Sequence, residues 1–331
     1  MKIDAIWNEL ENDHSLPAGL LLRRYAPTVL PDIYVAMRQP EKSRCIALRL
    51  HSEDIVNLSG YDPLKDVRLE IIPDERNNAQ KYLLILLSSR QHQDVFAILC
   101  EDLILGISTI IQKDIIVKEL LNRLEKWKSL FDKAAAEGLT PEEQRGLFGE
   151  LYFLRKWIMH SSDIQRCVFS WPEMELRDFQ YSDWAVEVKT TYGNNHQRIH
   201  VSSERQLDPT TLKNLFLYHL SLEVQNENGE TLNQIIHSIF ELLGDDLIVQ
   251  ARFKSRLLQG GYFTHHKALY DSTGYHIRQG TFYSVRDDFP RLEEKDLRAG
   301  VGEVKYSIIL SNFTGYIVSE SSVFENISNY A

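Results

Sequence analysis

Short runs of aliphatic and β-branched residues mark the first 110 positions: CIALRL (45–50), VRLEII (67–72), KYLLILL (81–87) and VFAILC (95–100). Turn-forming segments such as GYDP (60–63) and PDERNN (73–78) separate them, so each run reads as a strand and residues 1–112 as a β-rich N-terminal domain. The period then changes. Between Lys113 and Phe131 the apolar positions Ile116, Leu120, Leu124, Trp127 and Phe131 recur at three- and four-residue steps, which predicts an amphipathic helix ended by AAAEG (134–138). Thr140, Pro141 and Glu143 carry the signature of a capping box with proline in the first turn. They open a helix running to about Met159, with Leu147, Leu151, Leu154 and Ile158 as its buried stripe.

Farther along, ELRDFQYSDWAVEVKTT (175–191) has two extended runs meeting at Ser182-Asp183, the pattern of a β-hairpin. RIHV (198–201) is strand-like, and Ser203 with Gln206 forms an S-x-x-Q pattern for a short helix that Pro209 should bound. LFLYHLSLEV (215–224) reads as a strand and TLNQIIHSIFELL (231–243) as a helix. Residues 113–225 thus form a helical connector and core ordered helix, three strands, short helix and strand. Residues 226–331 form a C-terminal extension of helix plus strands.

With 331 residues, 43% hydrophobic and 25% charged, the composition is that of a soluble globular protein. No stretch approaches the roughly 20 apolar residues that span a bilayer, so the expectation is a cytoplasmic protein with no membrane partner. Cys45, Cys100 and Cys167 lack metal-ligand spacing and read as small buried residues. The net charge of −10 argues against a protein that coats nucleic acid electrostatically. The charge is uneven, however. Between Arg252 and Arg286 lie six basic residues (Arg252, Lys254, Arg256, Lys267, Arg278, Arg286) and one acid, Asp271. Tyr262, Phe263, Tyr270, Tyr275, Phe282 and Tyr283 are interleaved with them. Two readings stand for this segment: a phosphate-tracking, base-stacking surface, or solvated cations over core aromatics. Arg252, Lys254 and Arg256 are its candidate nucleic-acid contacts.

The chemistry concentrates in the hairpin. If Tyr181 pairs with Trp184, Asp178 falls opposite Glu187, and period-2 alternation puts Lys189 on the face of Glu187. Two carboxylates roughly 5 Å apart in a half-buried sheet repel one another and call for a cation between them. Hard oxygen ligands at that separation suit Mg²⁺, with Mn²⁺ as a substitute. Glu150 lies on the apolar face of its helix and is either pointed inward or at the edge of the stripe, reaching water. Asp183, in the turn, is expected to bond local backbone. Gln206 either caps its helix or faces the site. His200 is either a nucleic-acid contact or a satisfied surface residue. A second E-x-K string, Glu303-Val304-Lys305, lacks a preceding hairpin strand with an aspartate, and is expected to form the surface of an ordinary strand.

An aspartate in one strand followed by E-V-K in the next resembles the PD-(D/E)xK nuclease motif. GLFGELYFL, RDF, VEVKTT and HVSSERQL together resemble uncharacterised members of that superfamily from bacterial restriction and anti-phage loci, strongly over residues 140–225. Arg177 stands where the motif's proline would be. The resemblance implies an α/β, restriction-endonuclease-like core with a mixed sheet. It implies that Asp178, Glu187 and Glu150 ligate metal and that Lys189 positions or activates the attacking water. The expected activity is metal-dependent hydrolysis of DNA phosphodiester bonds in restriction or phage defence, beside a methyltransferase or an ATP-driven translocase. A homodimer is one open assembly. No GxxxxGK[ST] string is present, so ATP hydrolysis would belong to a partner. Two alternatives stand beside this reading: a DNA-binding subunit that is non-catalytic or needs a partner to cut, and an RNA-directed nuclease of the same fold.

Overall fold

The first elements are a helix, α1 (Lys2–Glu11), and five strands: β1 (Gly19–Arg24), β2 (Ile33–Gln39), β3 (Ser43–His51), β4 (Val67–Pro73) and β5 (Gln80–Leu87). A computed structural model describes residues 2–56, 58, 64, 66–134, 138–172, 176–193 and 197–328. The five strands make one antiparallel sheet in the order β1-β2-β3-β5-β4. Three of the four apolar runs expected to be strands fall in β3, β4 and β5. The fourth, VFAILC, belongs to a helix, α2 (Gln93–Ile107), whose Val95, Phe96, Ala97, Leu99, Cys100, Leu103, Ile104 and Ile107 are all buried. A continuous apolar run suits a buried helix as well as a strand, and length alone separates them. The indole of Trp7 on α1 stacks on Phe96 and donates to the carbonyls of Ala36 and Cys45, seating both helices on the sheet. The GYDP turn lies outside the described residues.

The predicted amphipathic helix is α3 (Lys113–Ala134), with Ile116, Leu120, Leu124 and Trp127 buried. The Phe131 side chain and most of the AAAEG stop lie outside what is described. The chain divides into two compact units: Met1–Gly138 with Phe263–His265, and Leu139–Tyr262 with His266–Ala331.

The second unit opens with α4 (Pro141–His160), where both bonds of the Thr140/Glu143 capping box form. It continues through α5 (Ile164–Phe169), β6 (Phe179–Tyr181), β7 (Trp184–Tyr192), β8 (Arg198–Val201), β9 (Asn214–Asn226), β10 (Glu230–Thr231), α6 (Leu232–Leu243) and α7 (Leu247–Gln259). The chain then forms β11 (Thr273–Ser284), β12 (Tyr306–Ile309), β13 (Ile317–Val318) and α8 (Glu320–Ser328). The main sheet runs β10-β11-β9-β7-β6, with β13 on β11. It is mixed, because β7 and β9 are parallel while β6–β7 and β9–β11 are antiparallel. This is a restriction-endonuclease-like α/β arrangement.

One face of β7 and β9, including Trp184, Val186, Val188, Phe216, Tyr218 and Leu220, packs into a core with α4 and α6. The six aromatics of the basic segment are all buried. Of the two readings of this segment, the one with core aromatics therefore holds for those side chains, and stacking on exposed bases does not. Each lies in or beside β11 or the short helical turn Thr264–Tyr270, which turn the large rings inward, where burial is worth more than exposure.

Gly149 sets how closely α4 approaches the sheet. A Cβ built there would lie 2.3 Å from Cγ2 of Thr190 and 3.4 Å from Cγ1 of Val188, whereas one at Gly146 would meet nothing within 4 Å. Substitutions in the same helix should then have opposite signs. Gly146→Ala should stabilise by about 1 kcal/mol through helix propensity. Gly149→Ala should lose that gain and cost roughly 1–3 kcal/mol of overpacking against a β-branched neighbour. Urea denaturation of both variants checks this, and equal stabilisation by the two would remove Gly149 as the point of close approach.

Candidate active site

The hairpin pairs Phe179 with Val186, Gln180 with Ala185 and Tyr181 with Trp184. This is the predicted register, and it carries Asp178 level with Glu187. Backbone pairing stops at Phe179, so the next inward-facing amide of β7 would lack a partner. The Asp178 side chain supplies one, its Oδ2 accepting from the Val188 N–H at 2.7 Å. Ser182 adopts a left-handed turn conformation (φ 51°), and Asp183 pairs with Lys213 (2.6 Å) while its carbonyl accepts from the Lys213 N–H. Asp183 thus acts in the turn.

Glu187 is wholly buried. The Lys189 ammonium lies 2.7 Å from its Oε1 as an ion pair. Lys189 and the Asp178 backbone are the hydrogen-bonding groups that favour its charged form. Burial, reinforced by the charge of Asp178, pushes the Glu187 carboxyl up to about 8, against the pull of Lys189. Burial also raises Asp178, opposed by Lys189, by the Val188 amide and by Arg256. For Lys189 burial works against the charge, but Glu187 and Asp178 outweigh it and hold the ammonium above its usual range.

Glu150 points inward from α4. It is partly buried, and its Oε2 accepts from the indole N–H of Trp171 at 2.8 Å. Burial and the charge of Asp178 push it up to about 8, while Trp171 and Arg256 pull the other way. Three carboxylates thus act on one another in one neighbourhood, with Lys189 and Arg256 as the opposing charges. Among the described residues no three His, Cys, Asp or Glu side chains close into a ready-made cage. A hard divalent cation that keeps water and takes one or two carboxylates plus phosphate does not require one. The wholly buried Glu187 beside a second and third acid fits such a cation.

Gln206 faces Lys189. Its Oε1 accepts from the Lys189 ammonium (3.2 Å) and from the Ser202 N–H (2.9 Å). The predicted capped helix at this point is absent: residues 204–207 form turns, and Ser203 Oγ accepts from the Arg205 N–H. The turn is gripped from behind by Arg177. The buried guanidinium donates to the carbonyls of Arg205, Gln206 and Asp208 and to Oε1 of Gln180. Its role is visible only in the folded chain, because the three carbonyls it holds lie about thirty positions away. Arg177→Met should leave buried carbonyls without donors and cost on the order of 3 kcal/mol by denaturant titration. A loss under about 1 kcal/mol would mean that water replaces those bonds.

The other predicted contacts divide. Arg256 lies with its guanidinium 4.9 Å over the Trp171 ring, and Arg252 donates to the Trp171 carbonyl (3.4 Å), so both belong to the wall behind Glu150. Lys254 is exposed and sits over Phe240. His200 is on the exposed side of β8, where Nδ1 meets Ser307 of β12 at 2.9 Å. Glu303 and Lys305 are exposed in the loop before β12 rather than in a strand. Glu303 has a positive φ of 56°, and the Val304 N–H is held by the carboxylate of Glu204, which fixes this E-x-K string as a turn. Among the described residues no helix is long and apolar enough to cross a membrane.

Comparison with curated proteins and with solved structures finds no match. Residues 3–311 match the family model described as "Putative PD-(D/E)XK family member, (DUF4420)". That match takes in both compact units and the hairpin with its Asp178, Glu187 and Lys189, and on its extent the chain belongs to this PD-(D/E)XK family.

Proposed function

We propose that this protein is a nuclease that hydrolyses DNA phosphodiester bonds with Mg²⁺, or with Mn²⁺ in its place, held by Asp178, Glu187 and Glu150. The observation that carries the reading is Glu187: a wholly buried acid set beside a second acid, Asp178, and acting on a third, Glu150, with the Lys189 ammonium 2.7 Å away. Such a group is costly unless a cation completes it. When bound, a divalent cation would neutralise the scissile phosphate and lower the pKa of a nearby water. Lys189, held protonated by its acidic neighbours, is a donor and orienting charge for the attacking water rather than a proton acceptor. Gln206 fixes the direction of the ammonium, and Arg177 fixes Gln206.

The reading extends to a role in restriction or phage defence, with a methyltransferase or an ATP-driven translocase as partner. A second reading, in which a partner must deliver the nucleic acid before cutting, is favoured by the net charge of −10 and by the burial of the basic segment's aromatics. The deciding experiment incubates the protein with plasmid, linear and single-stranded DNA and with RNA, in Mg²⁺, Mn²⁺ or EDTA. Metal-dependent cleavage of DNA is expected. Cleavage of RNA alone would overturn the choice of substrate. No cleavage of any substrate, with no metal binding that depends on Glu187, would overturn the nuclease reading.

A further inference from the structure

Trp171 follows the short helix α5 and is fixed on every side. It is 1% exposed, stacks on Phe179 (6.1 Å, 18°) and packs against Phe253 (6.0 Å, 40°). The guanidinium of Arg256 covers its ring, and its carbonyl accepts from Arg252. The neighbouring Ser170 carbonyl accepts from the Gln180 N–H at 2.8 Å, which ties the segment to β6 and so to the strand that follows Asp178. An indole held this way cannot swing, and its one donor is aimed at Oε2 of Glu150.

The same core offers an internal control. Trp157 and Trp184 are also fully buried, and their indole nitrogens have no hydrogen-bond partner among the described residues. This core therefore accommodates an indole without satisfying its N–H. The Trp171 to Glu150 bond is not a requirement of packing, and what it does accomplish is to fix the rotation of a carboxylate on a side chain with about three rotatable bonds.

We infer that Trp171 is a positioning residue for the metal site: its indole N–H holds Glu150 in the orientation in which the carboxylate serves a divalent cation. The inference rests on the proposed metal-dependent reading of the same acid cluster. Partners that orient a ligand from behind act through affinity for the metal, and they do so only while the ligand itself is present.

Trp171→Phe keeps an aromatic ring against Phe179, Phe253 and Arg256 and removes only the donor. Calorimetric titration with Mn²⁺ should give an affinity about tenfold weaker than wild type. In a Glu150→Gln background the same substitution should change affinity by less than about twofold, as a cycle requires when one residue acts through the other. A purely structural tryptophan would lower the melting temperature equally in both backgrounds and leave affinity alone, which would overturn the inference. A second measurement does not depend on the variant folding. In ¹⁵N-labelled full-length protein, Mg²⁺ should move the Trp171 indole resonance in wild type and not in Glu150→Gln. An indole resonance indifferent to Mg²⁺ in the wild type, with binding intact, overturns the inference while leaving the metal reading in place. Absence of any Glu187-dependent binding to the wild type overturns both.

Discussion

Single-turnover cleavage by Lys189→Ala should fall by roughly 10²–10⁴-fold while affinity for Mn²⁺ is kept or rises. The reason is electrostatic. The ammonium sits 2.7 Å from Glu187 and is held in place by Gln206, so its removal takes away the charge that orients the attacking water but leaves the carboxylates. It also removes the cation that competes with a metal for Glu187. Glu187→Ala should instead lose metal binding and cleavage together. Lys189→Arg should recover little, because a planar guanidinium cannot take the place of a compact ammonium held between Glu187 and Gln206 on a side chain only 15% exposed. Glu303→Gln, exposed in the loop before β12, is the matched control and should cut like wild type. Near wild-type cleavage by Lys189→Ala would make the Glu187-Val188-Lys189 string structural.

The second large effect is on stability and needs no substrate. In the folded, metal-free protein the Glu187 carboxyl titrates at about 8, against an ordinary value of 4.5. The native state therefore binds this proton more tightly than the unfolded chain does. The stability contributed by that proton is complete below pH 4.5 and is lost as pH rises through 8, at up to about 1.4 kcal/mol per pH unit. Glu187→Gln cannot ionise and should escape this loss. The difference in stability between variant and wild type should therefore grow in the variant's favour from pH 5 to pH 8, whatever constant offset the amide introduces. Mg²⁺ should shrink the difference at pH 8 by stabilising only the wild type. Denaturant titrations across that pH range give the answer, and parallel pH profiles for the two proteins would show that Glu187 is already ionised and compensated. Glu150 is raised in the same direction by burial and Asp178, and because the charge of Glu187 adds to that shift, its part of the slope is smaller in Glu187→Gln.

What was legible in the sequence was local. The capping box at Thr140 and Glu143 and the apolar stripe of α4 depend on residues three and four apart. The register of the hairpin depends on a turn at Ser182-Asp183 and on period-2 alternation, and that was enough to bring Asp178 level with Glu187. Where neighbouring residues permit two answers, the pattern was not enough. VFAILC, read as a strand, is helix, and Gln206, for which a cap and a site-facing role both stood, is a partner of Lys189. The aromatics of the basic segment went to the core.

The sequence by itself thus determined which acids and which lysine share a sheet edge, because strand pairing is set by nearby residues. Only the tertiary structure decided that Glu187 is wholly buried, that Glu150 is tied to Trp171, and that Arg177 anchors the turn carrying Gln206. Burial and side-chain partnership are supplied by segments many positions away, and the free energy of a charge depends on what those segments place around it.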